Sequence, residues 1–145
     1  MVMNQLNGGC HCGNIRVLLE LTDDPISYHP RACDCGFCFK HGASYLSDPD
    51  GSLIIAVKDE QHLGKYYQGS GNADILYCKN CGVLVGVTYK SDEQLFAAIN
   101  SKVVDTGTLF GETIAVSPEI LSSSDKIKRW KSIWFANVSV RKLNA

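Results

Sequence analysis

The stretch Gly8-Gly9-Cys10-His11-Cys12-Gly13 sets two thiols one residue apart, and Cys78-Lys79-Asn80-Cys81 sets out a second pair. Between these outer pairs lies a middle cluster, Cys33-Asp34-Cys35-Gly36-Phe37-Cys38, which holds the other three of the seven cysteines. Four thiolates complete a tetrahedral structural zinc site, whereas three leave one position open to water or substrate. We therefore expect one zinc ion that stabilises the fold and one that takes part in chemistry.

The assignment of the outer pairs to one metal rests on ligand count. Cys10 with Cys12, and Cys78 with Cys81, each form half a site on a turn beside a strand, and together they fill a tetrahedron. The middle cluster could pair with either half, but three thiolates and two would exceed four ligands. The four-thiolate site is the preferred interpretation, and it would add folding free energy because the unfolded chain offers no preformed site.

The middle cluster, Cys33, Cys35 and Cys38, predicts a site with an open position. Zinc held by three thiolates carries a net charge of about −1, which makes it a weak source of hydroxide. A fourth thiol would be held there as a thiolate that stays nucleophilic. The pattern therefore favours an enzyme that acts on a small thiol over a hydrolase.

Other cysteine chemistries are alternatives. An iron–sulfur cluster on the middle cluster would need a fourth ligand, from His41 or a borrowed cysteine. A disulfide framework is disfavoured by the odd cysteine count and the tight spacing. A thioredoxin-type redox pair is disfavoured because neither CxxC is followed by a convincing helix. His41 is a candidate for contact with the open site, whereas His11 is expected to point away from the metal.

Composition places the chain among ordinary globular proteins. Its 145 residues are 45% hydrophobic and 20% charged with a formal net charge of −1, which fits a single domain over residues 1–145. The sequence has no basic stripe of the kind that binds nucleic acid. It also has no apolar run near the roughly 20 residues that cross a bilayer. Residues 1–6 lack the features of a signal peptide. We therefore expect a cytoplasmic protein whose thiols stay reduced.

Short apolar segments separated by turn residues predict a mostly β domain. Residues 15–21 are apolar at every odd position, as in a half-buried strand, and residues 52–57 are rich in β-branched side chains. Further strands are expected at residues 26–31, 43–46, 65–68, 73–77, 83–89 and 94–100, the last being favoured as strand over helix. The pair Cys78 and Cys81 then lies at a hairpin tip, as a zinc knuckle, with Gly82 available for a left-handed backbone.

The C-terminal part has helical spacing. Ser122 to Asp125 is typical of a helix N-cap, and Ile127, Trp130 and Trp134 follow at intervals that share one helix face. The pattern predicts one short helix that packs both indoles on the core, with a role in lining a ligand pocket as the alternative.

These residues resemble the glutathione-dependent formaldehyde-activating enzyme family, also called the centromere-protein-V-type domain. The likeness is carried by residues 8–13, by residues 33–38 with His41-Gly42-Ala43 after them, and by residues 77–82. The resemblance implies a β-tent fold of small antiparallel sheets around a structural zinc. It also implies two zinc ions per chain, a structural one on the outer pairs and a catalytic one on the middle cluster. The implied ligands are Cys10, Cys12, Cys78 and Cys81 for the structural zinc, and Cys33, Cys35 and Cys38 for the catalytic zinc.

The resemblance further implies a carbon–sulfur lyase. Such an enzyme joins glutathione and formaldehyde into S-hydroxymethylglutathione or reverses that step, so its partners are a small thiol and an aldehyde. A non-catalytic, zinc-stabilised binding module on the same β-tent scaffold is the main alternative. Zinc storage or a thiol-based sensor is a third possibility.

Overall fold

The computed structural model describes residues 4–67, 71–105 and 107–143, and within them strands dominate. The strands are β1 (Asn4–Gly9), β2 (Ile15–Leu21), β3 (Arg31–Cys33), β4 (Ser44–Leu46), β5 (Ser52–Val57), β6 (Leu63–Tyr66), β7 (Asp74–Cys78), β8 (Leu84–Ser91), β9 (Gln94–Asn100), β10 (Ile114–Val116) and β11 (Asn137–Lys142). The α-helices are α1 (Gly36–His41) and α2 (Ser123–Ile133). The prediction of a mostly β protein with a short C-terminal helix is confirmed.

The strands form two sheets. One has four strands in the order β1-β2-β5-β11, and the other has seven in the order β10-β3-β4-β9-β8-β7-β6. Most neighbours are antiparallel, but the edge strands β10 and β11 run parallel to β3 and β5. Both parallel pairs join strands that are far apart in the chain, and a parallel pairing needs such a long connection.

The main core lies between the inner face of the four-stranded sheet and residues of the seven-stranded sheet. In β2 the residues Ile15, Val17, Leu19 and Leu21 are buried while their neighbours are half-buried, which gives the alternation that the sequence predicted. Strand β5 alternates in the same way, and Ile55 lies opposite Val17 in the antiparallel register.

Strand β9 is buried on both faces, which explains why its sequence did not alternate. Ala97 and Ile99 belong to the core shared with β2 and β5, whereas Phe96 and Ala98 belong to a second cluster with Trp130 and Trp134. A strand covered on both sides reads as a continuous apolar run. The preference for strand over helix at residues 94–100 is confirmed.

Other strand predictions hold with shifted boundaries, and one is wrong. The strands expected at residues 43–46, 73–77 and 83–89 appear as β4, β7 and β8, and that expected at 65–68 is β6, although Gln68 lies outside the described residues. Residues 26–31 do not form a strand. Pro25 instead begins a 3-10 turn that ends at Ser27, and β3 starts only at Arg31. Proline is favoured at a first helical position and cannot donate to a sheet, so both Pro25 and Pro30 oppose a strand here.

Helix α2 forms as the sequence predicted. The backbone N–H of Asp125 donates to the Ser122 hydroxyl at 3.2 Å, which is the expected N-cap. Trp130 and Trp134 are buried, and their rings stack with centroids 4.9 Å apart. Neither helix in the described residues has the length and apolarity needed to cross a membrane.

Asp48 is a buried carboxylate that fixes the loops leading to β3 and β5. It accepts hydrogen bonds from the backbone N–H of Thr22 (2.9 Å) and of Asp50 (2.9 Å), and from the hydroxyls of Thr22 (2.8 Å) and Tyr28 (2.6 Å). Burial opposes ionisation, but these hydrogen bonds outweigh it and hold the pKa of Asp48 below its ordinary value. The carboxylate therefore stays charged and joins three segments.

We expect Asp48→Asn to lower the free energy of unfolding by about 1–3 kcal/mol, because an amide leaves some of these buried donors without an acceptor. Urea unfolding followed by circular dichroism measures the change. Asp50→Asn is the matched control, since the Asp50 residue is exposed and contributes its backbone N–H to the cluster. Equal stability of the two variants would contradict this role for Asp48.

Candidate functional site

The outer pairs meet in space. The sulfur atoms of Cys10, Cys12, Cys78 and Cys81 all lie within 4.8 Å of one another. Cys12 Sγ is 3.7 Å from Cys10 Sγ and 3.6 Å from Cys78 Sγ. Sulfurs bound to one tetrahedral zinc at ~2.3 Å would be ~3.8 Å apart, so the spacing fits that ion.

Tight turns present these sulfurs. After β1 the backbone N–H of Gly13 donates to the carbonyl of Cys10 at 3.2 Å, and the N–H of Ile15 donates to Cys10 Sγ at 3.2 Å. After β7 the N–H of Gly82 donates to the carbonyl of Cys78 at 2.8 Å. Gly13 and Gly82 have φ angles of 84° and 81°, which glycine adopts without strain. The predicted hairpin-tip turn and its left-handed glycine are confirmed.

The middle cluster also converges. Cys33 ends β3, Cys35 caps the N-terminus of α1, and Cys38 lies in the first turn of that helix. The backbone N–H of Cys38 donates to Cys35 Sγ at 3.3 Å, and the sulfurs of all three cysteines lie within 4.8 Å of one another. The short loop at Asp34 is held by β10, because the Asp34 N–H donates to the Val116 carbonyl at 3.1 Å.

Helix α1 was not predicted, since the sequence analysis found no convincing helix near either CxxC. Its six residues are too few for an apolar repeat to show, and it ends at His41, followed by the C-cap residue Gly42, whose φ is 62°. The helix does not restore a two-cysteine redox motif, because Cys33 joins Cys35 and Cys38 in one cluster. Among the described residues, all seven cysteines are thiols outside any disulfide bond.

The middle cluster opens into a cavity of about 310 Å³, and the outer pairs do not border it. The cavity combines the three sulfurs with a phenol, three cations and an apolar wall. It is lined by Arg31, Cys33, Cys35, Cys38, Tyr45, Ala73, Ile75, Val87, Val116, Pro118, Lys126, Arg129, Trp130 and Trp134. The two tryptophans thus pack on the core and also line the pocket.

Strand register brings Arg31, Cys33 and Tyr45 to the same wall. Arg31 and Cys33 are two residues apart on β3, so their side chains leave the same face of the sheet. Tyr45 lies directly opposite Arg31 on the antiparallel strand β4. Sequence reasoning missed Arg31 and Tyr45, because the β3–β4 register is visible only in the folded chain.

Tyr45 contacts the middle cluster. Its hydroxyl oxygen lies 3.1 Å from Cys38 Sγ, and the residue is buried. Burial, together with the nearby Cys38, raises the pKa of the Tyr45 phenol well above its usual range. The phenol therefore keeps its proton and serves as a hydrogen-bond donor.

Within each cluster the pKa of some thiols is lowered and that of others is raised, with burial the main cause of the raised values at Cys10 and Cys78. The hydrogen bond between Cys33 and Cys38 lowers the pKa of Cys33 to about 6. The same bond, together with burial, raises the pKa of Cys38. In the outer pairs, a hydrogen bond from the Asn80 side chain is the main reason that the pKa of Cys12 falls to about 6. Thiolates are the form of cysteine that binds metal.

No histidine contributes to either group of converging ligand atoms in the described residues. His11 is exposed, as expected, and belongs to neither group of converging ligands. His41 was a candidate for contact with the open site, but it does not line the cavity. Its ring packs against Phe37 with centroids 4.5 Å apart, and Phe37 in turn stacks on Tyr66. The His41 ring therefore packs on Phe37, although His41 lies only three residues after Cys38 in the sequence.

Comparison with known proteins agrees with this description. The fold is similar to that in a crystal structure of a Rhodobacter sphaeroides protein, with 24% identity over 73% of this chain and 99% of that chain and a TM-score of 0.51. The family model described as "Glutathione-dependent formaldehyde-activating enzyme" matches residues 5–122, which include all seven cysteines and end before α2. The chain therefore belongs to the glutathione-dependent formaldehyde-activating enzyme family.

Proposed function

We propose that this protein is a zinc-dependent carbon–sulfur lyase that acts on the adduct of a small thiol and an aldehyde, as in S-hydroxymethylglutathione. The observation that carries the proposal is the division of the cysteines. Three of them line a cavity large enough for a small molecule, and the other four form a separate group that does not line it. Family membership supports glutathione and formaldehyde as the reacting pair.

Zinc fits the donor sets of both groups, because thiolate sulfur is a soft ligand that zinc accepts. Cys10, Cys12, Cys78 and Cys81 would hold a structural ion, and Cys33, Cys35 and Cys38 would hold a second one. When bound at the middle cluster, zinc would stabilise the substrate sulfur as a thiolate at neutral pH.

The reaction joins the thiol sulfur to the aldehyde carbon. The sulfur electron pair forms the C–S bond, the carbonyl π electrons move to oxygen, and that oxygen takes up one proton, which balances the proton that the thiol lost on ionisation. In the reverse step the hydroxyl loses its proton, the C–S bond breaks with its electron pair going to sulfur, and the thiolate and the aldehyde are released. The chain's own contribution is to hold both reactants in one small cavity, which replaces a bimolecular encounter by a positioned one.

The cavity walls support this role. Ile75, Val87, Trp130 and Trp134 form an apolar side that limits water around the reacting atoms. On the side of the sulfurs, the Tyr45 hydroxyl is placed to donate a hydrogen bond to ionised Cys38 Sγ. This bond would fix the direction of the sulfur and moderate its negative charge.

Metal analysis tests the division of the cysteines. We expect about two zinc ions per chain in the purified protein, and about one in Cys35→Ser, since that change removes one of only three thiolates in the middle cluster. Cys78→Ser should instead lower the thermal stability, because the outer pairs link separate parts of the fold. A single zinc ion in the wild-type protein, with the middle cluster empty, would favour a zinc-stabilised binding module.

Turnover is expected to depend on the middle cluster. In Cys35→Ser, the exchange of formaldehyde with S-hydroxymethylglutathione should fall to the uncatalysed rate while the protein stays folded. Isotope-exchange NMR measures the rate, and circular dichroism with the retained structural zinc verifies the fold. Wild-type turnover in this variant would exclude the proposed site.

We expect Tyr45→Phe to weaken zinc binding at the middle cluster by about 10- to 100-fold, because hydrogen bonds to metal ligands orient them and tune their charge. Competition with a chromophoric chelator measures the affinity, and binding at the outer pairs should not change. Tyr66→Phe is the control, since Tyr66 is largely exposed and does not line the cavity. Equal affinities for Tyr45→Phe and wild type would show that the hydroxyl does not position Cys38.

A further inference from the structure

One side of the cavity carries more positive charge than carbon–sulfur chemistry requires. Arg31, Lys126 and Arg129 all line the cavity, and no carboxylate does so among the residues that the structure describes. Asp34 and Asp125, which adjoin cavity-lining residues in sequence, are both exposed, and Asp34 accepts a hydrogen bond from the Ser117 hydroxyl. The cavity wall therefore presents three cations.

These cations exceed the negative charge expected at the middle cluster. Three thiolates with one divalent zinc sum to about −1, and a bound substrate thiolate would bring the total to about −2. Against three cations, about one positive charge is left over. A half-buried charge without a partner is unfavourable, so the surplus favours a ligand that brings a further negative group.

Arg31 is held in a fixed direction. Its Nη2 donates to the Ser47 hydroxyl at 2.7 Å, and that hydroxyl donates to the carbonyl of Ile133 at 2.6 Å. A guanidinium has five N–H donors, so this bond orients the group and leaves further donors for a ligand. The same link ties the end of α2 to the wall of the cavity.

Helix α2 supplies the other two cations. Lys126, Arg129 and Trp130 follow the i, i+3, i+4 spacing of one helix face, and all three line the cavity. Lys128 lies on the same helix but is exposed and does not line it. The helix begins at Ser123, beyond the residues that match the family model. This wall is therefore a feature that the family match does not cover.

We propose that Arg129 and Arg31 are the specificity-determining residues of this cavity: they bind a carboxylate of the thiol substrate while its sulfur lies at the middle cluster, so that α2 selects anionic thiols over neutral ones. Two guanidinium groups suit a carboxylate because each offers paired N–H donors to its two oxygens. The identity of the ligand as a thiol rests on the proposed function. The carboxylate contact is measurable as binding, without turnover.

The test compares N-acetylcysteine with its methyl ester, which have the same thiol and nearly the same size but differ in charge. Trp130 and Trp134 are the two tryptophans of the chain and both line the cavity, so tryptophan fluorescence of the zinc-loaded protein reports binding. We expect the acid to bind about tenfold or more tightly than the ester, as a hydrogen bond to a charged group allows. Equal binding of the two compounds by the wild-type protein would overturn the proposal.

Variants of α2 locate the effect. Arg129→Gln should lose about ten- to hundredfold in affinity for the acid with little change for the ester, and Arg129→Lys should keep part of the preference. Lys128→Gln is the matched control on the same helix and should behave as wild type. A loss for acid and ester alike in Arg129→Gln would mean that the side chain only supports the cavity, and this too would contradict the proposal.

Turnover separates this inference from the proposed function. If the acid is preferred and the preference depends on Arg129, but glutathione and formaldehyde are not interconverted, the carboxylate site stands and the lyase proposal fails. If turnover occurs but neutral and anionic thiols react equally well, the lyase proposal stands and the carboxylate site fails.

Discussion

The convergence of the four sulfurs of the outer pairs is the constraint on which the rest of the structure depends. Cys10 and Cys12 follow β1 of the four-stranded sheet, while Cys78 ends β7 of the seven-stranded sheet and Cys81 lies in the turn after it. Their contact thus joins the two sheets. A metal bound there would act as a cross-link between residues that are far apart in sequence, which stabilises the fold relative to the unfolded chain.

The middle cluster lies apart from the contact between the two sheets. It is built at the junction of β3 and α1, and its cavity is closed by β4, β7, β8 and α2. The outer pairs do not border that cavity. A ligand could therefore bind or leave at the middle cluster while the contact between the sheets stays intact. With zinc bound at both groups as proposed, this separation would let the middle cluster change its coordination without loss of the fold.

Much of this could be predicted from the sequence, because ligand number is a property of residue type and count. The cysteines fall into four and three, and period-two alternation revealed β2 and β5 directly. The rest depends on long-range contacts. Arg31 and Tyr45 meet Cys33 through the β3–β4 register, and Arg129 reaches the cavity only because α2 docks through its tryptophans. Strand 26–31 failed for a local reason, since prolines at both ends of the segment oppose pairing.

The sulfurs of the site and the cations of α2 come from different parts of the chain. The sulfurs belong to the part of the sequence that matches the family, and they determine which kind of chemistry is feasible. Lys126, Arg129, Trp130 and Trp134 belong to the segment after that match, and they form the wall that a ligand meets. Because Lys126 and Arg129 are carried by one helix, their charge can change by substitution without altering the turns that hold the cysteines. Chemistry common to a family and selectivity particular to one member can in this way reside in adjacent but separable parts of one cavity.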